Sequence, residues 1–364
     1  MARVFPRTAE IVDGRLIAIG GVPTSALAAE HASPLYVLDA AELTARMRAY
    51  RDAFGPQVDV VYAAKALCVV GVLQLAAAEG LFVDVASAGE LATAERAGFP
   101  PERIVFHGNN KSPGELAAAA RLGVGRTVAD SFAELDRLDA LGARSGRPLD
   151  VLLRVTPGIE ASTHAFIATG HDGVKFGFSL AAGSAAEAVA RALSLRGLRL
   201  RGLHCHIGSQ VTASGGFARA AAAMCGLLAQ VRDRHGVTLT ELNLGGGLGI
   251  AYRAGDEILE VADYAADLLA VTRAELAARG LAPPRLAIEP GRSITGPAGV
   301  TLYTVGTVKE TPGGVTWAAV DGGMSDNLRP ALYGASYTVV AAGDPRPVTG
   351  TRRYAVAGKH CETG

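Results

Sequence analysis

The chain has 364 residues with 35 basic and 35 acidic side chains, so its formal net charge is +0. Hydrophobic residues make up 49% and aromatic residues 5%, which predicts an aliphatic core such as that of a parallel sheet covered on both faces. No run of Lys and Arg stands out, which argues against a nucleic-acid partner. No signal-like segment and no stretch of about 18 apolar residues is found, so we expect no membrane span.

The cysteines lack the spacing of a zinc site or a disulfide framework, which indicates a reducing compartment and predicts a cytoplasmic protein. They are Cys68, Cys205, Cys225 and Cys361. Only five lysines occur, so each of them is considered individually.

Strand-like runs alternate with Ala/Leu-rich helical runs between about residues 40 and 295. This alternation predicts an α/β protein with a TIM-like (β/α)8 barrel rather than an open sheet. The runs are VDVVYA (58–63), LFVDVA (81–86), RIVFHG (103–108), RTVAD (126–130), DVLLRV (150–155), LRGLHCHI (200–207), ELNLGG (241–246) and RLAIEP (285–290).

The two ends of the chain differ from this middle part. Residues 10–38 are short, alternating runs punctuated by Gly and Pro, and after about residue 297 the chain is strand-like without helices. We therefore expect a second, mostly β domain that uses both termini. The expected boundaries are 1–40 for an N-terminal segment joining the β-domain, 41–297 for the barrel and 298–364 for the C-terminal β-domain.

Lys65 stands in VVYAAKALCVVGVLQLAA, an otherwise uncharged segment directly after the first predicted strand of the barrel. Burying an ammonium there is costly unless it is paired or neutralised. A lysine at the C-terminal mouth of a barrel strand, made more nucleophilic by desolvation, suits Schiff-base chemistry. The ammonium could instead extend to the surface at the strand end, and the surrounding sequence alone leaves both interpretations open.

Segments after the seventh and eighth predicted strands favour a phosphate site. LNLGGGLGI (242–250) has three adjacent glycines, whose backbone N–H groups can approach an anion, and AIEPGRSITG (287–296) adds Glu289 and Arg292. The glycines lack the dinucleotide-binding spacing, and each segment alone could be structural. Because loops after strands seven and eight of such barrels often bind phosphate, a shared phosphate pocket is the better interpretation.

LHCHIGSQ (203–210) places His204 and His206 two residues apart, on one face of the sixth predicted strand. Two histidines could bind a metal, but no carboxylate or third histidine lies close in sequence, so we predict no metal site. A histidine ring stacked on a flat cofactor, with Ser209 reaching a phosphate, explains the segment better.

Nine motifs follow one another along nearly the whole chain: YAAKA, DVASAGEL, HGNNKS, KFGFS, HCHIGSQ, NLGGGLGI, EPGRS, DGGMSDNLRPALY and CETG. In order and spacing they resemble the fold-type-III pyridoxal-phosphate (PLP) decarboxylases, most closely the diaminopimelate decarboxylases. The resemblance implies an alanine-racemase-like plan of barrel plus β-domain, with pyridoxal 5'-phosphate as cofactor. Family members continue beyond the segment matching CETG, so we expect a truncated chain with an incomplete β-domain.

By this resemblance, Lys65 would hold the cofactor covalently, His206 would stack on its pyridine ring, and Glu289 would pair with the ring nitrogen. Asp84 would lie near the cofactor. Cys361 would return a proton to the substrate from the partner subunit of a homodimer with shared active sites. The other expected cofactor contacts, most of them around the phosphate, are Ser209, Gly246, Gly247, Pro290, Gly291 and Arg292.

Arg292 and Arg329 resemble the family's clamp for a distal carboxylate, helped by Tyr333 and Glu362. Two guanidiniums suit a diacid. The resemblance thus implies decarboxylation of the amino acid meso-2,6-diaminopimelate to L-lysine and CO2, the last step of lysine biosynthesis. Three alternatives stay open: a related decarboxylase of another acidic or carrier-linked amino acid, a non-catalytic PLP-binding homologue, and an amino-acid racemase.

Overall fold

The computed structural model describes residues 3–159, 174–344 and 352–361. The chain divides into two units. The barrel unit comprises residues 44–250 and 258–295, and the β unit comprises residues 1–43, 251–257 and 296–364. In the described residues, no helix combines the length and apolarity needed to cross a membrane.

The β unit begins with short strands around a small apolar cluster. Phe5, Leu16 and Ile19 are buried at its centre. The first two strands, which are antiparallel, contribute to it. A third short antiparallel strand follows, and then a helix that the alternating sequence pattern did not predict. That helix is rich in alanine, the strongest helix former. The elements are β1 (Glu10–Val12), β2 (Arg15–Ile19), β3 (Val22–Pro23), α1 (Thr24–His31) and β4 (Leu35–Leu38).

Eight parallel strands close into a barrel, which confirms the predicted architecture and all eight predicted strands. The ring closes because β13 pairs with β5, and β8 pairs with β9. A further two-residue strand, β10, pairs with β9 at the side. The strands are β5 (Val58–Ala63), β6 (Phe82–Val85), β7 (Ile104–Phe106), β8 (Arg126–Ala129), β9 (Leu149–Thr156), β10 (Phe178–Ser179), β11 (Leu198–Cys205), β12 (Glu241–Asn243) and β13 (Arg285–Ile288).

Helices connect the strands, as the alternation of the sequence predicts. Within the described residues they are α2 (Ala40–Phe54), α3 (Val70–Ala78), α4 (Ala88–Arg96), α5 (Pro113–Leu122), α6 (Phe132–Ser145), α7 (Ser184–Ser194), α8 (Ser214–His235), α9 (Val261–Ala278) and α10 (Arg292–Thr295).

Three consecutive helices begin at a Ser-x-x-Glu sequence. The side chains of Ser87, Ser112 and Ser131 each accept a hydrogen bond from the backbone N–H three residues later. Such a cap satisfies an otherwise unpaired N–H and contributes about 1 kcal/mol. The caps fix where α4, α5 and α6 start, and therefore keep the preceding loops at the barrel mouth short.

The barrel interior is aliphatic, as the composition predicts. Val61, Val105, Val128 and Leu152 are buried together, and Phe82 and Ala287 pack against them. These six side chains come from six of the eight strands, which can meet in this way only inside a closed barrel. The polar side chains of the strands are thereby left to gather at the strand ends.

The C-terminal elements belong to the β unit, and strands from both parts of the chain pair in its sheets. β14 pairs with β4, and β17 pairs with β2. The short helix α11 was not predicted; Pro330 occupies its second position, where a missing N–H costs nothing. The elements are β14 (Gly299–Leu302), β15 (Val305–Glu310), β16 (Thr316–Val320), α11 (Arg329–Tyr333), β17 (Ala341–Ala342) and β18 (Ala355–Ala357).

Candidate active site

Lys65 and Asp84 meet at the carboxyl ends of two neighbouring strands. Lys65 lies in a single 3-10 turn directly after β5, and Asp84 lies on β6. Lys65 Nζ is 3.5 Å from Asp84 Oδ2, and the lysine side chain is 58% exposed whereas the aspartate side chain is 2% exposed. The amine is therefore accessible to a small molecule while its counter-charge is sheltered.

The surroundings of Lys65 and Asp84 shift the pKa values of both residues. Desolvation lowers the pKa of Lys65, but the carboxylates of Asp84 and Glu289 outweigh it and raise the pKa. Burial raises the pKa of Asp84, and Lys65 opposes that shift. The amine thus carries its proton in the resting site, next to a carboxylate that is a better proton acceptor than an exposed aspartate.

Glu289, directly after β13, is a buried carboxylate held by three side chains. Asn243 Nδ2 donates to Oε1 at 2.7 Å, and His204 Nε2 lies 3.0 Å from Oε2. His107 Nε2 is 2.9 Å from Oε1. The three side chains come from the ends of β12, β11 and β7, so barrel closure brings them together.

The protonation states of this cluster follow from its burial. Burial lowers the pKa of His204 to about 4, so its ring is neutral near pH 7. Its Nε2–H then donates to Glu289, and Nδ1 has no hydrogen-bond partner among the described residues. Burial would raise the pKa of Glu289, but His107 and His204 hold that pKa well below its usual range. The site therefore keeps a buried anion.

His107, His204 and Glu289 also form a group whose ligand atoms lie within 4.8 Å of one another, close enough to hold a metal ion. The 3.0 Å separation between His204 Nε2 and the carboxylate is that of a hydrogen bond, and His107 Nε2 lies 2.9 Å from the same carboxylate. We therefore interpret the group as the anchor of the Glu289 carboxylate. The pair His204 and His206, considered from the sequence, does not share this cluster.

His206 follows β11 and contacts the glycine loop, which is the run of three glycines at residues 245–247. Gly246 N donates to His206 Nδ1 at 3.3 Å, which defines Nδ1 as an acceptor. Burial, together with the charges of Lys65 and Arg154, lowers the pKa of His206 well below its ordinary value. The ring is accordingly neutral, as stacking on a flat, electron-poor ring requires.

The glycine loop admits no side chains. A Cβ on Gly246 would lie 1.9 Å from the carbonyl oxygen of Glu289, and one on Gly247, whose φ is +118°, would lie 2.1 Å from that of Gly208. Only glycine allows so close a backbone approach. The loop is consequently bare backbone, which can offer N–H groups to an anion.

Ser209 and Arg292, which the sequence analysis proposes as phosphate ligands, contact each other in the barrel unit. Arg292 Nε donates to Ser209 Oγ at 3.2 Å. Gly291 lies against Ala63, since a Cβ added there would be 2.9 Å from the Ala63 Cβ, and Pro290 O accepts from Ala63 N at 3.0 Å. The turn after β13 is thus packed onto the strand end that precedes Lys65.

Lys111 and Glu134 form a second buried charge cluster in the barrel. Lys111 Nζ is 2.6 Å from Glu134 Oε1, and it also donates to the carbonyls of Gly108 and Val128 at 2.7 and 2.8 Å. The pair joins the loop after β7 to the first turn of α6. It thereby fixes the loop that carries His107.

The remaining residues of the predicted site belong to the β unit or lie outside the described residues. Arg329 and Tyr333 are the first and last residues of α11, and Cys361 is exposed with a free thiol. Glu362 lies outside the described residues. The barrel residues are therefore brought together within one unit, whereas Arg329, Tyr333 and Cys361 are described with the β unit alone.

Sequence reasoning missed two side chains that contact the Glu289 carboxylate. His107 opens the motif HGNNKS and Asn243 closes β12, so both stand at the C-terminal end of a predicted strand. That position was the available signal. What it lacked was the fact that both side chains point toward the strand that carries Glu289, which only barrel closure determines.

An accessible lysine amine, a bare backbone loop for an anion and a buried ionised carboxylate converge at the mouth of one barrel. This combination suits a barrel enzyme that binds a small phosphate-bearing aldehyde. Residues 40–296 match the family model described as pyridoxal-dependent decarboxylase, pyridoxal binding domain. The chain belongs to the pyridoxal-dependent decarboxylase family, and its cofactor is pyridoxal 5'-phosphate.

Individual relatives agree with this assignment. The chain is 46% identical over 369 residues to the diaminopimelate decarboxylase of Corynebacterium efficiens, covering 100% of this chain and 80% of that protein. It is 47% identical over 364 residues to the diaminopimelate decarboxylase of Actinosynnema pretiosum, covering 99% and 80%. The crystal structure of diaminopimelate decarboxylase from M. jannaschii in complex with L-lysine matches with a TM-score of 0.89 at 31% identity, covering 98% and 82%.

The residues present fit the cofactor. The Lys65 amine is exposed enough to meet an aldehyde, and the glycine loop with Ser209 and Arg292 offers backbone and side-chain donors for a phosphate. Glu289 supplies a negative charge for a protonated ring nitrogen. Buried Asp84 Oδ2, 3.5 Å from Lys65 Nζ, adds a second carboxylate beside the amine.

Proposed function

We propose that this chain decarboxylates meso-2,6-diaminopimelate to L-lysine and CO2. The proposal rests on the amine of Lys65 beside two buried carboxylates in the barrel unit, and the β unit separately offers an arginine for a second carboxylate. The barrel mouth presents Lys65 beside the buried anions Asp84 and Glu289, and α11 presents Arg329, a cation without a carboxylate partner in the described part of the chain. The similarity to diaminopimelate decarboxylases supports the same reaction.

The bound cofactor supplies an electron sink for the pair of electrons that remains when CO2 leaves. The chain's own residues prepare the site for it. Glu289 would supply a negative charge for a protonated ring nitrogen, and neutral His206 would offer a flat face to the ring. Gly246, Gly247, Ser209 and Arg292 would hold the phosphate.

Lys65 and Asp84 manage a proton. The raised pKa keeps Nζ of Lys65 protonated, and Asp84 Oδ2, 3.5 Å away, is the nearest described acceptor for that proton. Burial raises the pKa of Asp84 and so improves it as an acceptor. Proton transfer from Nζ toward Oδ2 would free the amine as a nucleophile.

Arg292 and Arg329 are the residues that we assign to the carboxylate remote from the reacting centre, with Tyr333 and Glu362 assisting. A dicarboxylate has one carboxylate to lose and one to be held, and guanidiniums bind a carboxylate through two parallel hydrogen bonds. A diamine precursor such as ornithine has no second carboxylate for this cationic group. Cys361 is the residue that we assign to reprotonation of the substrate.

We infer that the protein acts as a homodimer in the cytoplasm. Cys361 is exposed with a free thiol, and the sequence resemblance assigns it to the active site of a partner subunit. All four cysteines are free, as expected in a reducing compartment. Light scattering of the purified protein would test the dimer.

A lysine substitution with a matched control tests the proposed function. Lys65→Ala should abolish both the visible absorbance acquired with pyridoxal phosphate and the release of CO2 from meso-diaminopimelate. Lys309→Ala, at an exposed position of β15, should preserve both. The substrate panel should include ornithine, L-lysine and carrier-linked amino acids.

The outcomes separate the alternatives. Lys65-dependent absorbance together with L-lysine formation supports the proposal. The same absorbance with CO2 release from a different acid would assign the chain another substrate, and absorbance without CO2 from any amino acid would favour a non-catalytic homologue or a racemase. Absorbance that survives in Lys65→Ala would refute Lys65 as the cofactor-binding residue.

A further inference from the structure

Arg329, the first residue of α11, is held by tyrosines rather than by a counter-charge. Its Nη1 donates to Tyr252 Oη at 2.6 Å and to Tyr337 Oη at 3.1 Å. Its guanidinium carbon lies 4.9 Å from the ring centre of Tyr252, 5.9 Å from that of Tyr337 and 5.8 Å from that of Tyr333. All four residues belong to the β unit.

The two hydrogen-bonding tyrosines are themselves fixed. Their rings meet edge to face, with centres 5.2 Å apart and an interplanar angle of 86°. Thr338 donates to the carbonyl of Tyr252 through its backbone N at 3.2 Å and its Oγ1 at 2.7 Å. On the other side, Tyr252 N donates to Asp256 Oδ2 at 2.9 Å. The segment 251–257 is therefore tied to the residues after α11.

Neutral partners leave the charge of Arg329 available. A phenol accepts a hydrogen bond without cancelling the positive charge, whereas a carboxylate would neutralise it. In the described part of the chain, no carboxylate lies within ion-pair distance of this guanidinium, and the pKa of Arg329 is raised by the two tyrosines against partial burial, which lowers it. The arginine is thus held in place as a full cation.

The hydrogen bonds also select which edge of the guanidinium faces a ligand. Both tyrosines take N–H groups of Nη1, and neither Nε nor Nη2 has a hydrogen bond to a described residue. Nε and Nη2 together form one of the forked edges that bind a carboxylate through two parallel hydrogen bonds. Holding Nη1 therefore presents an intact two-pronged edge.

We propose that Tyr252 and Tyr337 are positioning residues that fix Arg329 so that its Nε–Nη2 edge binds the carboxylate remote from the reacting centre. The inference rests on the proposed function and goes beyond it, because it assigns substrate discrimination to two residues that need not touch the substrate. Ordering a long, flexible guanidinium before binding removes part of the entropy cost of binding. Ligands without that carboxylate gain nothing from it.

Phenylalanine substitutions isolate the hydroxyl groups, since they keep the rings. Tyr252→Phe and Tyr337→Phe in the PLP-loaded full chain should each raise KM for meso-diaminopimelate by about tenfold or less with kcat changed by less than about twofold, the pattern of lost uniform binding. The inhibition constant of L-lysine, which retains the remote carboxylate, should rise by the same factor. That of 1,5-diaminopentane, which has no carboxylate, should stay constant.

Two controls separate positioning from folding. Tyr354→Phe, at an exposed tyrosine of the same unit, should match the wild type in every constant. In an Arg329→Ala background, which itself weakens L-lysine, adding Tyr252→Phe or Tyr337→Phe should weaken it no further, because the residue that they position is gone. A purely structural contribution of the hydroxyls would persist in that background.

The outcomes are distinct from those of the proposed function. If the wild type releases no CO2 from meso-diaminopimelate, the proposed reaction fails, and calorimetric titration of L-lysine into the same variants still tests the tyrosines. Unchanged L-lysine affinity in both phenylalanine variants overturns the inference, as does equal weakening of 1,5-diaminopentane. Absence of L-lysine binding to the wild type overturns it as well.

Discussion

Two buried glutamates of the barrel are held in opposite ways. Glu289 is 5% exposed and Glu134 is 3% exposed, yet the pKa of Glu289 is lowered and that of Glu134 is raised. Glu289 receives hydrogen bonds from Asn243 and from neutral His204, with His107 close by. Glu134 is paired with Lys111; burial raises its pKa, and the negative charge of Asp130 adds to that effect.

The difference shows that the bonding partners of a buried carboxylate decide whether its charge stays available to a ligand. A carboxylate paired with an ammonium contributes little net field, and such a pair mainly joins two segments of chain. A carboxylate held by uncharged donors keeps its negative charge, which a cationic ligand can then meet. Arg329 repeats the second arrangement with the opposite sign, because phenols hold it in place of a carboxylate.

Lys111→Met tests the buried Lys111–Glu134 pair and should have the largest effect on stability. It leaves Glu134 buried without its partner, so the free energy of unfolding should fall by about 3–5 kcal/mol. Urea titration of the PLP-loaded protein measures this change. Adding Glu134→Leu should recover much of the loss, and Lys309→Met, which is exposed, should cost little. A Lys111→Met variant as stable as the wild type would show that the pair does not stabilise the contact between the loop after β7 and α6.

Glu289→Gln tests the ligand-directed member. It removes the charge while keeping the shape, so kcat/KM should fall by about a hundredfold or more, as when one preorganised electrostatic contact is lost. Glu134→Gln is the matched substitution, and it should reduce the free energy of unfolding more than kcat/KM. Steady-state kinetics and urea titration of both variants decide between these patterns. If both glutamates behaved alike, the comparison would have no functional meaning.

The lowered pKa of His204 predicts a smaller, pH-dependent effect on the free energy of unfolding. Its pKa is about 4 in the folded chain and 6.5 when unperturbed, so between these values the unfolded chain binds a proton that the folded chain excludes. The contribution of neutral His204 to the free energy of unfolding is therefore fully present above about pH 6.5. It falls by about 3 kcal/mol as the pH drops to about 4. His204→Gln, which keeps a donor and cannot titrate, should lack this part of the slope. Urea titrations at several pH values would contradict the prediction if both proteins had the same slope.

The sequence predicted the barrel well because its signals are local. Strand-length aliphatic runs, the Ala/Leu-rich runs between them and glycines at strand ends are each readable within a few residues. Lys65, Asp84, His206, Ser209, Gly246 and Glu289 were found because each stands directly at a strand end or within a recognisable motif. Their roles as site residues stay predictions until the substitutions above are made.

The sequence was less informative where the structure depends on distant partners. The helices α1 and α11 were missed because they are short and lie among strand-like runs, where local propensity is weak. Tyr252 was not singled out, since the hydroxyl that contacts Arg329 comes from a segment 77 residues away along the chain. Lys111 was noticed only as one lysine among five, because nothing near it in sequence announces Glu134 as its partner.

By itself, the sequence determined the alternation of strands and helices, the family resemblance and the list of chemically able side chains. Tertiary structure alone decided which of them act together. Closing eight strands into a ring brings the ends of β7, β11, β12 and β13 within hydrogen-bond distance of one carboxylate. Burial then sets whether each group is charged, because the cost of desolvation depends on neighbours that are remote in sequence.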